Sequence, residues 1–354
     1  MSLQPGTPAP LVKVKALVNP EFALSSLGGR YVVLGFLPGP GPQRDAAIAL
    51  VREHAAQFAD QSRLFYGVLP DAQSFAQARD NLPLRWFGDA DGDLRRVYGA
   101  VDAQGDLEPQ WIVLDPSLRI LTHAPIDQGR PLLDMLAALG HPEDHAGVRL
   151  HAPVLIAPRI FDRDLCNRLI DAYRELGGQP SGVMKQQGGK TIGVLDDFKK
   201  RRDATITDEA LLQATRRSIS QRLLPEIEKA FQYKPTRIER YIVACYDAQE
   251  GGYFRDHRDN TTTGTAHRRF AVSINLNAED FEGGDLQFPE FGTATYRPPT
   301  GGAVVFSCSL LHEATPVTRG ARYAFLPFLF DEAGELIRQA NLHSLTPAEP
   351  ARAG

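Results

Sequence analysis

Cysteine is scarce in this chain of 354 residues. There are three, Cys166, Cys245 and Cys308, and no Cys-x-x-Cys pair. That argues against a disulfide framework and a cysteine-based zinc site, and it fits a reducing compartment, so a cytoplasmic location is expected. No apolar run approaches the roughly 20 residues needed to span a bilayer. The opening MSLQPGTPAP has neither the basic stretch nor the apolar core of a secretory signal. A large excess of one charge is also missing. The net charge is −4, so neither nucleic acid nor a membrane surface is an expected partner. Nothing in the pattern specifies an oligomeric state.

What is present is ordinary globular composition, 43% hydrophobic and 23% charged. The length exceeds what one hydrophobic core usually serves, so two domains are expected. They are bounded at about 1–145 and 152–345, with the polar HPEDHAG (141–147) as linker. In the first, YVVLGFL (31–37) and RLFYGVL (63–69) read as strands buried on both faces. DAAIALVREHAAQFAD (45–60), DAQSFAQARDNL (71–82) and PLLDMLAAL (131–139) read as helices, and QWIVLD with RILTH (110–115, 119–123) as a hairpin. This is an α/β layer plan. The segments GTPAP, GGRYVVLGFLPGPGP, PDAQSF, DADGDLRRVYGA and PQWIVLDPSLRI resemble a thioredoxin-like domain of the peroxiredoxin type. That family's reactive motif is Pro-x-x-x-Thr-x-x-Cys. Counted from Pro38, the Thr position holds Pro42 and the Cys position Asp45. No cysteine precedes Cys166, so thiol peroxidase chemistry has no nucleophile here. A scaffold or docking role is expected instead. DADGD (89–93) mimics the start of a calcium loop, but its glycine is at position 4 and position 12 is Ala100, so a turn is expected.

The second domain opens with an amphipathic helix within APRIFDRDLCNRLIDAYREL (157–176). Leu165, Leu169, Ile170 and Tyr173 keep helical spacing. A longer helix is expected over about 208–231. After Lys234 the texture changes to short strands with frequent turn residues, as in a β-sandwich or barrel. RYIVACY (240–246) places Ile242, Ala244 and Tyr246 on one face, and AVSINLN (271–277) places Val272, Ile274 and Leu276 together. GAVVFSCSLLH (302–312), read as one strand, places His312 at the end of an apolar row. RYAFLPFLF (322–330), also read as one strand, opens its row with Arg322. A His and an Arg facing a barrel interior are costly to bury without partners.

Nine histidines are present, and one forms a His-x-Asp pair, His257-Arg258-Asp259. With the distant His312 this is the residue set of a 2-His-1-carboxylate facial triad, which leaves open positions on Fe(II). Arg322 adds a fixed fork for a carboxylate. The stretches VACYDAQEGGYFRDHRDN, INLNAEDFEGGDLQFPE and HEATPVTRGARYAFLPF resemble the 2-oxoglutarate- and Fe(II)-dependent dioxygenases of the prolyl hydroxylase superfamily. The resemblance covers residues 152 to about 332. It implies a double-stranded β-helix (jelly roll) with supporting helices, and Fe(II) held by His257, Asp259 and His312. It also implies that Arg322 and Tyr246 hold the far carboxylate of 2-oxoglutarate. Dioxygen would be the co-substrate, ascorbate a reductant, and the products succinate, carbon dioxide and a hydroxylated substrate. One extra residue separates the GGY turn from His257 and another separates His312 from Arg322. Both read as loop adjustments.

Two substrate classes stay open: a prolyl or other peptidyl side chain, and a free amino acid or small metabolite. The charged LDDFKKRRDATI (195–206) is either a lid that offers an arginine to the substrate or a solvated loop. Arg255, Arg258, Arg268 and Arg269 flank the metal turn. The competing reading is a cupin-like metal- or ligand-binding module without oxygenase turnover. Arg322 and Tyr246 speak against it, because a pure metal site needs neither.

Overall fold

A computed structural model describes residues 4–345. The chain divides into two compact units. The first runs to Ala152 and includes Pro289–Thr293; the second takes Pro153–Phe288 and the chain from Ala294. HPEDHAG therefore lies inside the first unit. Among the described residues no helix is long and apolar enough to cross a membrane.

The first unit is built on one seven-stranded sheet: β1 (Lys13–Ala16), β2 (Phe22–Ala23), β3 (Tyr31–Phe36), β4 (Arg63–Leu69), β5 (Leu84–Gly88), β6 (Gln110–Leu114) and β7 (Ile120–Pro125). Their order is β2-β1-β5-β4-β3-β6-β7. The central β3, β4 and β5 are parallel and β6 is antiparallel to β3. Alternate residues of the apolar runs supply a separate core on each face. Val32, Leu34 and Phe36 enter one, and Tyr31, Val33 and Leu37 the other. Helices α1 (Pro42–Glu53), α2 (Ala72–Gln77), α3 (Asp93–Val97) and α4 (Gly129–Ala138) complete the thioredoxin-like unit. Pro42 starts α1, where its missing N–H is no loss, and Asp45 is exposed in the first turn. β5 and α3 were not anticipated, because LRWFG is a five-residue run between turn-rich flanks. The DADGD segment is a helix entry. The Asp89 carboxylate accepts from Leu94 N and Arg95 N, at 2.8 and 3.1 Å.

The second unit carries α5 (Arg163–Leu176), α6 (Glu209–Ser218), α7 (Leu224–Phe231) and α8 (Glu332–Asn341). The expected long helix is α6 and α7 joined by a π-helical turn, Ile219–Leu223. Its strands are β8 (Leu155–Ala157), β9 (Gln179–Pro180), β10 (Val183–Gln187), β11 (Lys190–Val194), β12 (Lys199–Lys200), β13 (Arg202–Thr205), β14 (Arg237–Glu239), β15 (Ile242–Asp247), β16 (Tyr253–His257) and β17 (Phe270–Asn275). They continue as β18 (Glu282–Gly283), β19 (Leu286–Gln287), β20 (Thr295–Tyr296), β21 (Ala303–Ser307), β22 (His312–Ala314), β23 (Val317–Arg319), β24 (Ala321–Phe325) and β25 (Phe328–Phe330). A major sheet has the order β14-β25-β17-β24-β15-β13-β9, with β21 bridging β17 and β8, and a minor sheet has the order β12-β16-β22-β19-β20. This is the jelly-roll arrangement.

The two faces of the major sheet differ in chemistry. Val243, Cys245, Val272, Ile274, Val305, Phe325 and Leu329 share a core with Leu165, Leu169, Ile170 and Tyr173 of α5 and with Ile219, Leu223 and Ile227. The alternate residues line the barrel interior.

Three expectations are corrected. GAVVFSCSLLH is two strands in two sheets: β21 ends at Ser307, a turn closed by Leu310 N to Ser307 O follows, and His312 opens β22 in the minor sheet. RYAFLPFLF is also two strands, interrupted at Pro327, which has no N–H for the ladder. LDDFKKRRDATI is a solvated loop only at Leu195, Asp196 and Asp197, which are exposed. It forms β12 against β16 and β13 against β15, and it buries Lys199 and Arg201.

Candidate metal and dicarboxylate site

His257 and His312 are brought face to face by register, as directly opposed residues of antiparallel β16 and β22. Phe254 pairs with Ala314 in the same ladder, so β16 advances three residues while β22 advances two. The surplus is a β-bulge, which turns His257 onto the same face as Phe254. The extra residue noted before His257 thus coincides with a local irregularity in β16. The imidazole centroids are 4.2 Å apart. Asp259 follows the strand, held by Asp259 N donating to Cys308 O at 3.0 Å. Its Oδ1 lies 3.6 Å from His257 Nε2 and its Oδ2 3.4 Å from His312 Nε2. Ligand atoms of the three residues all lie within 4.8 Å of one another.

The donor chemistry fits a divalent metal. Each histidine directs Nδ1 at a backbone carbonyl two residues upstream. His257 reaches Arg255 O at 2.7 Å and His312 reaches Leu310 O at 3.0 Å. With Nδ1–H donating there, each Nε2 presents its lone pair toward Asp259. Burial, and then the neighbouring His257, push the His312 imidazole down to about 4, so it is neutral at physiological pH. Burial works against the Asp259 charge, but His312 and His257 together hold its carboxyl well below the usual range. A neutral imidazole at His312 and an ionised carboxylate at Asp259 are protonation states that suit ligation. Aromatic rings pack around the trio. Phe254 stacks on His257 at 3.5 Å and Phe306 meets His312 edge-on at 4.5 Å.

Arg322 and Tyr246 lie in the major sheet, and Tyr246 packs in one cluster with Phe254, whose ring stacks on His257. They are directly opposed on β24 and β15, and the guanidinium carbon lies 5.3 Å from the Tyr246 ring centroid. Arg322 is buried, and its acceptors are uncharged: Ser273 Oγ at 2.8 Å, Asn275 Oδ1 at 3.2 Å and Gly284 O at 2.7 Å. Among the described residues no carboxylate forms an ion pair with it. A buried guanidinium without a counter-ion is a ready site for an incoming carboxylate.

Several neighbours lay beyond the sequence reading. Arg201 makes a bidentate ion pair with Asp203 at 2.6 and 2.7 Å and approaches Tyr246 OH at 3.3 Å. Lys199 Nζ donates to Ser181 Oγ at 2.6 Å and Gly182 O at 3.0 Å, and lies 4.8 Å from the Phe254 centroid. Burial, and then Arg201, push the Lys199 ammonium well below its ordinary range. The signal was the alternation Lys199, Arg201, Asp203 against Lys200 and Arg202, which charge density alone conceals. Of the four flanking arginines, Arg268 is buried. It pairs with Glu239 at 2.7 Å and reaches Asp259 O at 3.4 Å. Arg258 donates to Ser309 O, Arg269 to Ala266 O, and Arg255 lies over the Tyr253 ring.

Residues 241–330 match the 2OG-Fe(II) oxygenase superfamily and residues 5–123 match the AhpC/TSA family. A PKHD-type hydroxylase of Synechococcus sp. is 29% identical over 118 residues, 30% of this chain and 52% of its own length. A PKHD-type hydroxylase of Hyphomonas neptunium is 24% identical over 207 residues, 54% of this chain and 85% of its own. The chain thus spans about half the length of the Synechococcus relative. Among solved structures, a Trichoplax adhaerens prolyl hydroxylase in complex with a hypoxia inducible factor peptide fragment is 19% identical with a TM-score of 0.43, covering 52% of this chain and 86% of that one. The chain joins an AhpC/TSA thioredoxin-like domain to a domain of the 2OG-Fe(II) oxygenase superfamily.

Proposed function

We propose that the second unit is an Fe(II)- and 2-oxoglutarate-dependent dioxygenase that hydroxylates an unactivated C–H bond. The observation that carries the reading is the metal-competent His257–Asp259–His312 trio in the same barrel as a buried Arg322 that, among the described residues, forms no ion pair with a carboxylate. In this assignment the trio holds the iron through two Nε2 atoms and a carboxylate oxygen. Arg322 takes the far carboxylate of 2-oxoglutarate as a charge-assisted pair, with the Tyr246 hydroxyl beside it. Bound iron would supply oxidative decarboxylation of 2-oxoglutarate to succinate and carbon dioxide, coupled to hydroxylation. The chain's own work is positional. The two carbonyl-bound Nδ1–H groups fix the imidazole tautomers, and Phe254 and Phe306 exclude water from the ligand faces. The substrate is a prolyl or peptidyl side chain, or a free amino acid or small metabolite, and ascorbate would keep the iron ferrous. The first unit is assigned a non-catalytic role, since Asp45 stands where a peroxidatic cysteine would be.

The test is Fe(II)-dependent conversion of 2-oxoglutarate to succinate by the full chain, offered a metabolite and peptide extract, with mass spectrometry for gain of one oxygen. Turnover that vanishes in His257→Ala and Asp259→Ala is the expected result. Iron binding without any 2-oxoglutarate turnover would return the barrel to the cupin-like reading.

A further inference from the structure

A carboxylate stands close to Arg322 and yet does not pair with it. Arg322 Nη1 donates to Gly284 O at 2.7 Å, and the next residue in the chain is Asp285. Asp285 acts on the guanidinium without touching it. Burial lowers Arg322 from its ordinary value, Tyr246 and then Asp285 oppose that, and Arg201 and Arg297 add to it. An arginine stays charged inside a protein. Its attraction to Asp285 therefore persists, and it strengthens where water is excluded.

Strand register supplies the restraint. Leu286 of β19 is directly opposed to Tyr296 of β20 in an antiparallel ladder. Asp285 and Arg297 occupy the next opposed positions, just beyond the strand ends, where opposite charges attract. Arg297 engages all three of its nitrogens there. Nε donates to Asp285 Oδ1 at 2.5 Å, Nη1 to Phe281 O at 2.9 Å and Nη2 to Gly283 O at 2.8 Å. Its guanidinium carbon also lies 4.6 Å from the Phe281 ring centroid. The backbone of the turn is held separately, with Gly284 N donating to Pro316 O at 3.1 Å and Asp285 N to Thr315 Oγ1 at 3.0 Å. One turn thus gives a neutral carbonyl to the buried Arg322 and its carboxylate to the partly exposed Arg297. Were Asp285 paired with Arg322 instead, the buried charge would be matched and a second carboxylate would gain little there. We propose that Arg297 is a positioning residue for the 2-oxoglutarate site: by holding Asp285 it keeps that carboxylate off Arg322 and leaves the guanidinium open to an incoming one. This inference rests on the dioxygenase reading and on its assignment of Arg322. It differs from a plain structural role for the pair. A brace for the turn needs both Arg297 and Asp285, whereas restraint of a competing carboxylate needs Arg297 alone.

The test is calorimetric titration of 2-oxoglutarate onto the full chain loaded with Zn(II), which does not turn over. Arg297→Met releases Asp285 and is expected to weaken 2-oxoglutarate by at least about tenfold. Asp285→Asn removes the competitor and is expected to leave the affinity unchanged. The double variant, Arg297→Met with Asp285→Asn, is expected to regain most of what Arg297→Met loses. Zn(II) affinity is expected to stay constant across the three variants, which separates the effect from collapse of the barrel. Equal losses in the two single variants, no recovery in the double variant, or no loss in Arg297→Met overturns the inference. Should Arg297→Met fail to fold, Asp285→Asn still decides, because a brace predicts weaker binding and the restraint predicts none. A wild-type chain that binds no 2-oxoglutarate sinks the dioxygenase reading and the inference with it. Wild-type binding without the rescue sinks the inference alone.

Discussion

Half-buried Asp259 and buried Arg322, at the centre of the second unit, are assigned different work, and substitution separates them. Asp259→Ala removes the only carboxylate of the trio, so Mn(II) titration, with Mn(II) in place of iron, is expected to find no tight site. Arg322→Met leaves the trio intact. It is expected to weaken 2-oxoglutarate by about 2 kcal/mol, roughly thirtyfold, the scale of a hydrogen bond to a charged group, while metal affinity measured by the same titration stays unchanged. Equal loss of both affinities would show that Arg322 supports the fold rather than a ligand. At this scale much of the centre was legible. His257 and Asp259 stand two apart in sequence, and the apolar spacing around Arg322 and Tyr246 points both inward. Ser273 and Asn275 were not legible. Attention to the apolar row Val272, Ile274 and Leu276 passed over the alternate polar residues, which are the ones that meet Arg322.

Among the elements, β16 and the turn at Gly283–Gly284 carry the strongest demands. Deleting Arg255 removes the surplus residue of the bulge and leaves two steps from Phe254 to His257 against two from Ala314 to His312, so a regular ladder keeps the two imidazoles opposed. Circular dichroism is expected to keep its β signature and Mn(II) binding to survive; loss of binding would show that the bulge itself shapes the site. Gly284 has φ +67°, and a Cβ there would lie 2.7 Å from Val317 Cγ2. Its carbonyl is also an acceptor for Arg322. Gly284→Ala is therefore expected to cost about 1–3 kcal/mol of stability in urea unfolding, together with weaker 2-oxoglutarate binding. The element boundaries explain where sequence reading fell short. Alternation continues without a break through GAVVFSCSLLH, so period-two logic extends one strand across a turn that moves the chain between sheets. Register and sheet assignment depend on partners distant in sequence, which a local pattern does not contain.

For the molecule as a whole, the buried ion pair beside the site ties stability to pH. Burial opposes the Asp203 charge, but Arg201 beside it holds the carboxyl down to about 2. A carboxyl whose folded value is depressed contributes fully above its ordinary unfolded range, near 4, and loses that contribution as pH falls toward about 2. Asp203→Asn is expected to lower stability at neutral pH by on the order of 2 kcal/mol and to flatten the loss between pH 4 and pH 2, as read from thermal unfolding at stepped pH. An unchanged acid slope would mean that the pair carries no such linkage. Length pointed to two domains, but the change of texture after Lys234 falls inside the second unit, well past the division after Ala152. The extent of the first unit was only partly legible. Its segment Pro289–Thr293 comes from far along the chain, and no composition shift marks it.

The three residues of the metal trio are not held alike. His257 and His312 belong to neighbouring strands, and each imidazole is pinned by its own upstream carbonyl, whereas Asp259 stands beyond the end of β16 on a turn. The imidazole pair thus forms a clip whose ordering entropy is already spent when the chain folds. In the proposed assignment the carboxylate is the latch on the ion, and loosening the 259–308 hydrogen bond is expected to speed metal exchange before it weakens the histidine pair.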